Sequence, residues 1–342
     1  MKVLFLGGTG LISTASTALA VEQGIELFLL NRGEDRKIPP PDGATLLKGD
    51  AYDGEMLRGA VAEHDFDVVV NWVGFTPDQI ETHIHLLAGR IQQYVFISSA
   101  SAYQKPATHH LVTEDTPLAN PHWEYSRKKI ACEERLLQAY RTQGFPITIV
   151  RPSLTYGLTQ IPVCIGSWNH PWTIVERLQQ GKQVIVPGDG TSLWTVTHNR
   201  DFAKGLVGLL GHQQATGHAF HITSDEVLTW NQIYEAVGHA AGVEAKLIHI
   251  ASDTLVAHDP DYEGSLLGDK AISVVFDNSK IKRFVPGFTA TTPFSRGIEE
   301  TLAWFAAEPH RRTIDAAANG QWDEIIRRYE SALPDRIQAP GR

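Results

Sequence analysis

A doubly wound parallel α/β sheet, with a smaller α/β portion following it, is the fold that the sequence predicts. Three observations carry this expectation. Over the first 150 residues short apolar runs alternate with amphipathic helical stretches. Two of those runs, Val68-Val69-Val70 and Val95-Phe96-Ile97, are apolar without alternation, as strands buried on both faces are. The alternation then breaks after Arg151. Strand–helix order of this kind calls for right-handed crossovers between parallel strands.

Residues 3–6 read as the first strand. Leu11, Ile12, Ala15 and Leu19 then form one apolar stripe that Gly24 closes, which predicts a helix. Residues 27–30 and 45–47 read as strands, and Met56, Leu57, Ala60 and Val61 mark another helix. Residues 68–71 and 95–98 are the next strands. A helix starting at Tyr125, with Ile130, Leu136 and Leu137 on its apolar side, leads to a strand over 147–150. Residues 157–172 are rich in Pro, Gly and Trp and read as a loop. A short strand over 184–186 enters the turn Pro187-Gly188-Asp189-Gly190, a helix is expected over 201–210, and a strand over 219–222. Thr229 is placed to cap a helix over 230–241 ended by Gly242. Thr292-Pro293 opens a last long helix through Phe305. The expected division is a first domain over 1–156, also taking in about 195–222, and a second made of 157–194 and 223–342.

Bulk properties exclude several classes. With 42% apolar and 20% charged residues the chain has a folded composition. A net charge of −9 with interspersed signs gives no general nucleic-acid surface. Cys132 and Cys164 are the only cysteines, too few for a disulfide framework. No run reaches the roughly 18 apolar residues of a membrane span, and the short run 2–6 passes straight into glycines, unlike a signal segment. A cytoplasmic protein with no membrane and no nucleic-acid partner is expected. The fifteen histidines include the close groupings His83/His85, His109/His110 and His218/His221, but none has HExxH spacing or a cysteine partner, so no metal is expected.

Gly7-Gly8-Thr9-Gly10-Leu11-Ile12-Ser13 follows the first strand and opens the first helix. Such a turn lets backbone N–H groups approach a pyrophosphate at a helix N-terminus, which marks a dinucleotide-binding Rossmann domain with Gly7, Thr9, Gly10, Leu11 and Ile12 as ligands. Ser13 stands where a third glycine is usual. The second strand ends at Asn31-Arg32 with no acidic residue for a ribose 2′-OH; Arg32 suits a 2′-phosphate, which favours NADP(H), with NAD(H) the alternative and a solvated loop cation the plain reading. Asp50 and Ala51 are placed to meet the adenine, and Trp72 to run under the dinucleotide.

A buried strand ending in Ser98-Ser99-Ala100-Ser101, followed downstream by Tyr125 and Lys129 on one helix face, supplies the chemistry. A phenol ordinarily titrates near pH ~10. A neighbouring ammonium and a positive nicotinamide would lower that value, so that Tyr125 can exchange a proton with a substrate hydroxyl or carbonyl. Ser99 would orient the substrate oxygen.

Taken together, GGTGLIS at 7–13, GDAYD at 49–53, FISSASAY at 96–103, YSRKK at 125–129, RPSLTYG at 151–157, PGDG at 187–190, Asp201 in HNRDFA and FDNSKIKRFVPGF at 276–288 resemble the extended short-chain dehydrogenase/reductases, also called NAD-dependent epimerase/dehydratases. The resemblance implies a Ser99/Tyr125/Lys129 mechanism, a small-molecule substrate held by the C-terminal part, and a homodimer built on the Tyr125 helix and its successor. Two departures bear on the substrate. The arginine that clamps a nucleotide-sugar diphosphate after PGDG is missing from Thr191-Ser192-Leu193-Trp194-Thr195, and Leu154 replaces an expected asparagine. In their place the substrate region offers Ser101, Trp123, Trp168, His170, Trp172, Trp194 and His198, an aromatic and neutral set that suits a sugar-like, polyol or aromatic ligand. Three functions stay open: a reductase or dehydrogenase with exchanging cofactor on an uncharged carbonyl/alcohol pair, a sugar epimerase or dehydratase with retained NAD, and a non-catalytic RNA-associated protein.

Overall fold

The computed structural model describes residues 1–33 and 37–333. The first half forms β1 (Lys2–Leu6), α1 (Ser13–Glu22), β2 (Glu26–Asn31), β3 (Thr45–Lys48), α2 (Gly54–Glu63), β4 (Val68–Asn71), α3 (Pro77–Leu87), β5 (Gln93–Ile97) and α4 (Glu124–Gln143). The central sheet is parallel throughout and runs Ala219–His221, Ile147–Arg151, β5, β4, β1, β2, β3. The chain winds outward from β1 to β3, then returns to place β4 on the other side of β1. That reversal leaves a crevice at the carboxyl ends of β1 and β4, the usual ligand position in an open α/β sheet.

Period-two alternation explains why both faces are covered. Val3, Phe5, Leu27, Leu29, Val68, Val70, Val95 and Ile97 face one apolar layer, which includes Phe202 and Leu206 of the helix Asn199–Leu209. Leu4, Leu6, Phe28, Leu30, Val69, Tyr94 and Phe96 face the other, with Leu57 of α2, Ile80 and Ile84 of α3, and Leu136 of α4. A third apolar cluster lies downstream, around Trp172, Trp194, Trp230, Tyr234, Phe294, Ile298 and Trp322.

The predicted strands form, with ends shifted by a residue or two, and α4 begins at Glu124 and stops at Gly144, whose φ of +68° a glycine adopts without strain. Several elements escaped the sequence reading. α3 carries a capping box between Thr76 and Gln79 with Pro77 at its first turn, a local start signal written plainly in the sequence. The strand Lys246–Ile250 pairs in parallel with Gln183–Pro187, and helices form over Trp172–Gln179 and Ala316–Ser331. No helix among the described residues is long and apolar enough to cross a membrane.

Candidate active site

The crevice at the β1/β4 reversal opens into a cavity of about 1110 Å³ that continues towards the downstream residues. Its floor is the glycine turn. Gly7 and Gly8 hold φ of +99° and +92°, and a Cβ on Gly8 would stand 2.8 Å from Cδ2 of Leu29. The Thr17 hydroxyl of α1 donates to the Gly8 carbonyl at 2.7 Å, which fixes the turn to the helix. Ser13, in the place of the third glycine, accepts from the Gly10 N–H at 2.8 Å and so closes the turn with a side chain. No side chain caps α1, and Leu11 and Ile12 line the cavity at its N-terminus. A helix start with uncapped N–H groups beside a close-approach glycine cradle fits a pyrophosphate.

Around this floor the cavity wall gathers Gly7, Thr9, Gly10, Asn31, Arg32, Asp50, Ala51 and Trp72, all expected from the sequence. Arg32 is exposed at the lip. Asp50 folds back to accept from the Tyr52 N–H at 2.9 Å. Nε2 of His83 hydrogen-bonds the Ala51 carbonyl at 2.9 Å, within a buried cluster of His83, Asn71 and Tyr94 behind the wall.

Ser99, Tyr125 and Lys129 all line this one cavity. The Ser99 side chain acts on Tyr125 and favours its ionised form. Behind them the hydroxyls of Ser99, Ser101 and Ser126 form a chain with spacings of 2.8 and 2.7 Å. Ser101, expected as a substrate contact, is buried and props Ser99 from behind. Lys129 is buried, and its Nζ donates to the carbonyls of Gly74 at 2.6 Å and Ile97 at 2.8 Å, which leaves a third proton for a ligand. Burial pulls its pKa down to about 8, against the opposing pull of Cys132 and Glu133. The expected lowering of the Tyr125 pKa is reversed in the protein on its own: burial raises it, Ser99 works against that, and the Asp269 carboxylate raises it further.

The downstream wall differs from the aromatic and neutral lining expected. Trp123, Trp168 and Trp194 do line the cavity, Trp168 largely exposed and Trp194 buried against Trp230. His170, Trp172 and His198 do not. His170 instead pairs with the Thr313 hydroxyl at 2.8 Å. Trp172 packs in the downstream core, its ring against Phe305. His198 is buried as the N-cap of the helix Asn199–Leu209, where burial and Arg200 drive its pKa down to about 4. Three charged residues that the sequence reading did not single out, Lys105, Asp269 and Lys270, share this wall. Asn120 explains how: its Nδ2 donates to the carbonyls of Ser101 at 2.8 Å and Gly268 at 2.7 Å, and its Oδ1 accepts from Trp123 N–H at the start of α4. One buried amide therefore holds the serine loop, the tyrosine helix and the Asp269 segment together. Among the described residues no group of three or more His, Cys, Asp or Glu is placed to hold a metal ion.

A family model described as the NAD dependent epimerase/dehydratase family matches residues 3–223, which include the glycine turn, Ser99, Tyr125 and Lys129. The chain belongs to that family. Among curated proteins it is similar to the chloroplast stem-loop binding protein of 41 kDa b of Arabidopsis thaliana, at 27% identity over 72% of this chain and 65% of that protein, so the match spans just under two thirds of that relative. It is also similar to the 2′-dehydrokanamycin reductase of Streptomyces kanamyceticus, at 24% identity over 100% of this chain and 93% of the reductase. Among solved structures, a dTDP-glucose 4,6-dehydratase from Bacillus anthracis in complex with NAD superposes with a TM-score of 0.72, at 20% identity over 91% of this chain and 98% of that one. The fold is therefore the α/β fold of this family, and the glycine cradle, uncapped α1 and Lys129 are donors of the kind a nicotinamide dinucleotide requires.

Proposed function

We propose that this family member is an NAD(P)-dependent dehydrogenase or reductase working on the carbonyl/alcohol pair of a compact sugar-like, polyol or aromatic molecule. The observation that carries the reading is the convergence of Ser99, Tyr125 and the buried Lys129 on one cavity floored by the glycine turn. The dinucleotide supplies hydride acceptance or donation when bound; Gly7, Thr9, Gly10, Leu11 and Ile12 would hold its phosphates, Asp50 and Ala51 its adenosine, and Lys129 its ribose. Tyr125 moves a proton at the substrate oxygen, and Ser99 orients that oxygen and offsets the charge that develops on it. Lys129, charged below about pH 8, favours the phenolate form of Tyr125 during that transfer. Arg32 at the lip supports NADP(H) over NAD(H).

A second reading has one observation of its own. Asp269 is a carboxylate close enough to raise the Tyr125 pKa, and a second acid–base group there would suit a dehydratase or epimerase with retained NAD. The stem-loop activity in the Arabidopsis relative's name is the weakest of the three, because a chain with a net charge of −9 repels a phosphate backbone.

The deciding experiment is to denature the purified protein, identify any released dinucleotide by mass spectrometry, and titrate the stripped protein with NADPH and NADH. Exchangeable cofactor with a preference for NADPH is the expected result. Tightly retained NAD would transfer the lead to the epimerase or dehydratase reading.

A further inference from the structure

We infer that Lys105 is a substrate-binding cation that receives a carboxylate carried by the substrate, on the downstream wall of the same cavity. This rests on the dehydrogenase reading and narrows its substrate class.

Lys105 lies in the segment after β5, with only 5% of its surface exposed. Its backbone is pinned, the N–H donating to the Ala119 carbonyl at 2.8 Å. Its side chain lines the cavity, yet no described residue offers Nζ a hydrogen-bond acceptor; the Trp194 ring centroid lies 6.0 Å from Nζ. An ammonium that faces the cavity without a protein acceptor is a ready partner for a ligand that brings one. Burial indeed pulls the Lys105 pKa below the usual lysine range; Asp269 pulls the other way, and Lys270 adds to the lowering.

The local charge decides what the acceptor is. Asp269 holds one cation directly, its Oδ2 accepting from Lys270 Nζ at 3.2 Å, and acts on Lys105 electrostatically as well. Two ammoniums share one carboxylate, so the trio carries a surplus of one positive charge, and Lys105 is the one with no hydrogen-bonded acceptor among the described residues. A single carboxylate balances it. A phosphate dianion would leave negative charge beside Asp269, and an ammonium-bearing ligand would meet an unmatched cation. The site and the reacting centre share one cavity, and the Asn120 amide ties the Asp269 segment to the Ser101 loop. The substrate class this describes is a sugar acid or hydroxy acid, whose carboxylate seats on Lys105 while the carbonyl or hydroxyl presents to Tyr125. The indole face of Trp194 supplies an apolar wall beside it.

The test is calorimetric titration of the dinucleotide-saturated protein, and of the bare protein, with gluconate, sorbitol, sorbitol 6-phosphate and glucosamine, for the natural chain and for Lys105→Met and Lys105→Arg. Gluconate should bind about tenfold or more tightly than sorbitol, as a charge-assisted hydrogen bond requires. The preference should vanish in Lys105→Met and persist in Lys105→Arg, with dinucleotide affinity unchanged in both. Equal binding of gluconate and sorbitol, tighter binding of the phosphate ester or of glucosamine, or a preference that survives Lys105→Met would each overturn the assignment. A protein that binds no dinucleotide would instead sink the dehydrogenase reading, and the bare-protein titrations would then judge Lys105 separately. Should Lys105→Met lose its fold, the Lys105→Arg variant and the salt dependence of gluconate binding to the natural chain take its place: affinity that falls with added salt supports the cation, and affinity indifferent to salt overturns it.

Discussion

Tyr125 is held in a setting that opposes its ionisation, since burial outweighs the opposing pull of Ser99, while Lys129 one turn later is itself depressed to about 8. Proton transfer from Tyr125 is therefore what a variant should remove. Tyr125→Phe should cut turnover by about 10²–10⁴-fold while dinucleotide affinity stays within error, measured by steady-state kinetics beside fluorescence titration. Lys129 gives a stability signature of its own. Its folded pKa lies below the unfolded value of 10.5, so the unfolded chain binds more protons between those two limits. Its contribution is thus lost as pH falls towards 8 and recovered as pH rises through 10.5. Comparing denaturant unfolding of the natural chain and Lys129→Met from pH 7.5 to 10 should show stability gained with pH in the first relative to the second; parallel curves would mean that Lys129 titrates normally. At this scale Ser99, Tyr125 and Lys129 were legible because their spacing and order along the chain are themselves the signal. Lys105 and Asp269 were not, because they meet only through the fold, by way of Asn120 clamping the loop beside each. His198 looked like a pocket residue and turned out to cap a helix, a role any buried acceptor at that position can fill.

The strand–turn–helix unit β1–α1 joins sequence to chemistry most directly. Its glycines meet two separate demands, a positive φ and close contact with β2, and Gly8 carries both. Gly8→Ala should destabilise the protein by about 1–3 kcal/mol, because the new Cβ must displace Leu29. It should also weaken dinucleotide binding, with thermal unfolding and titration as the two readouts; full affinity with a lowered melting temperature would confine Gly8 to packing. The strands of the first half were readable because burial on both faces leaves an unbroken apolar run. α3 went unread even though Thr76, Pro77 and Gln79 mark its start. Lys246–Ile250 went unread because only alternate positions are buried and its partner is far away in the chain. The residues 157–172 do lack regular structure apart from the helix that Trp172 begins.

Across the whole molecule, the helix Asn199–Leu209 ties the parts together. The Asn199 amide donates to the Leu11 carbonyl at 2.8 Å, in the phosphate turn. Asp201, 1% exposed, accepts from the N–H groups of Thr291 and Thr292 at 3.0 and 2.9 Å, just ahead of the helix Phe294–Ala307. Burial alone would raise the Asp201 pKa; the bonds from Lys204, Thr291 and Thr292 outweigh it and lower it. Asp201→Ala strips buried donors of their acceptor and leaves Lys204 without its counter-charge, so a loss of about 3–5 kcal/mol in denaturant unfolding is expected. A change under about 1 kcal/mol would show the contact to be redundant. The aspartate stood out in the sequence and Thr292 read as a helix start, but nothing local ties the two across 91 residues.

The position of Ala219–His221 at the end of the sheet has a bearing on how the protein is made. Its neighbour Ile147–Arg151 leaves the ribosome about 70 residues earlier. At roughly 5–20 residues per second, that strand waits on the order of 4–14 s as an open edge of Ile, Thr and Val before its partner emerges. Open edges of this composition recruit other chains. Each nascent molecule therefore passes through an interval in which crowding with its siblings, rather than its final stability, sets the yield, and slower translation over the loop 157–172 would lengthen that exposure rather than relieve it.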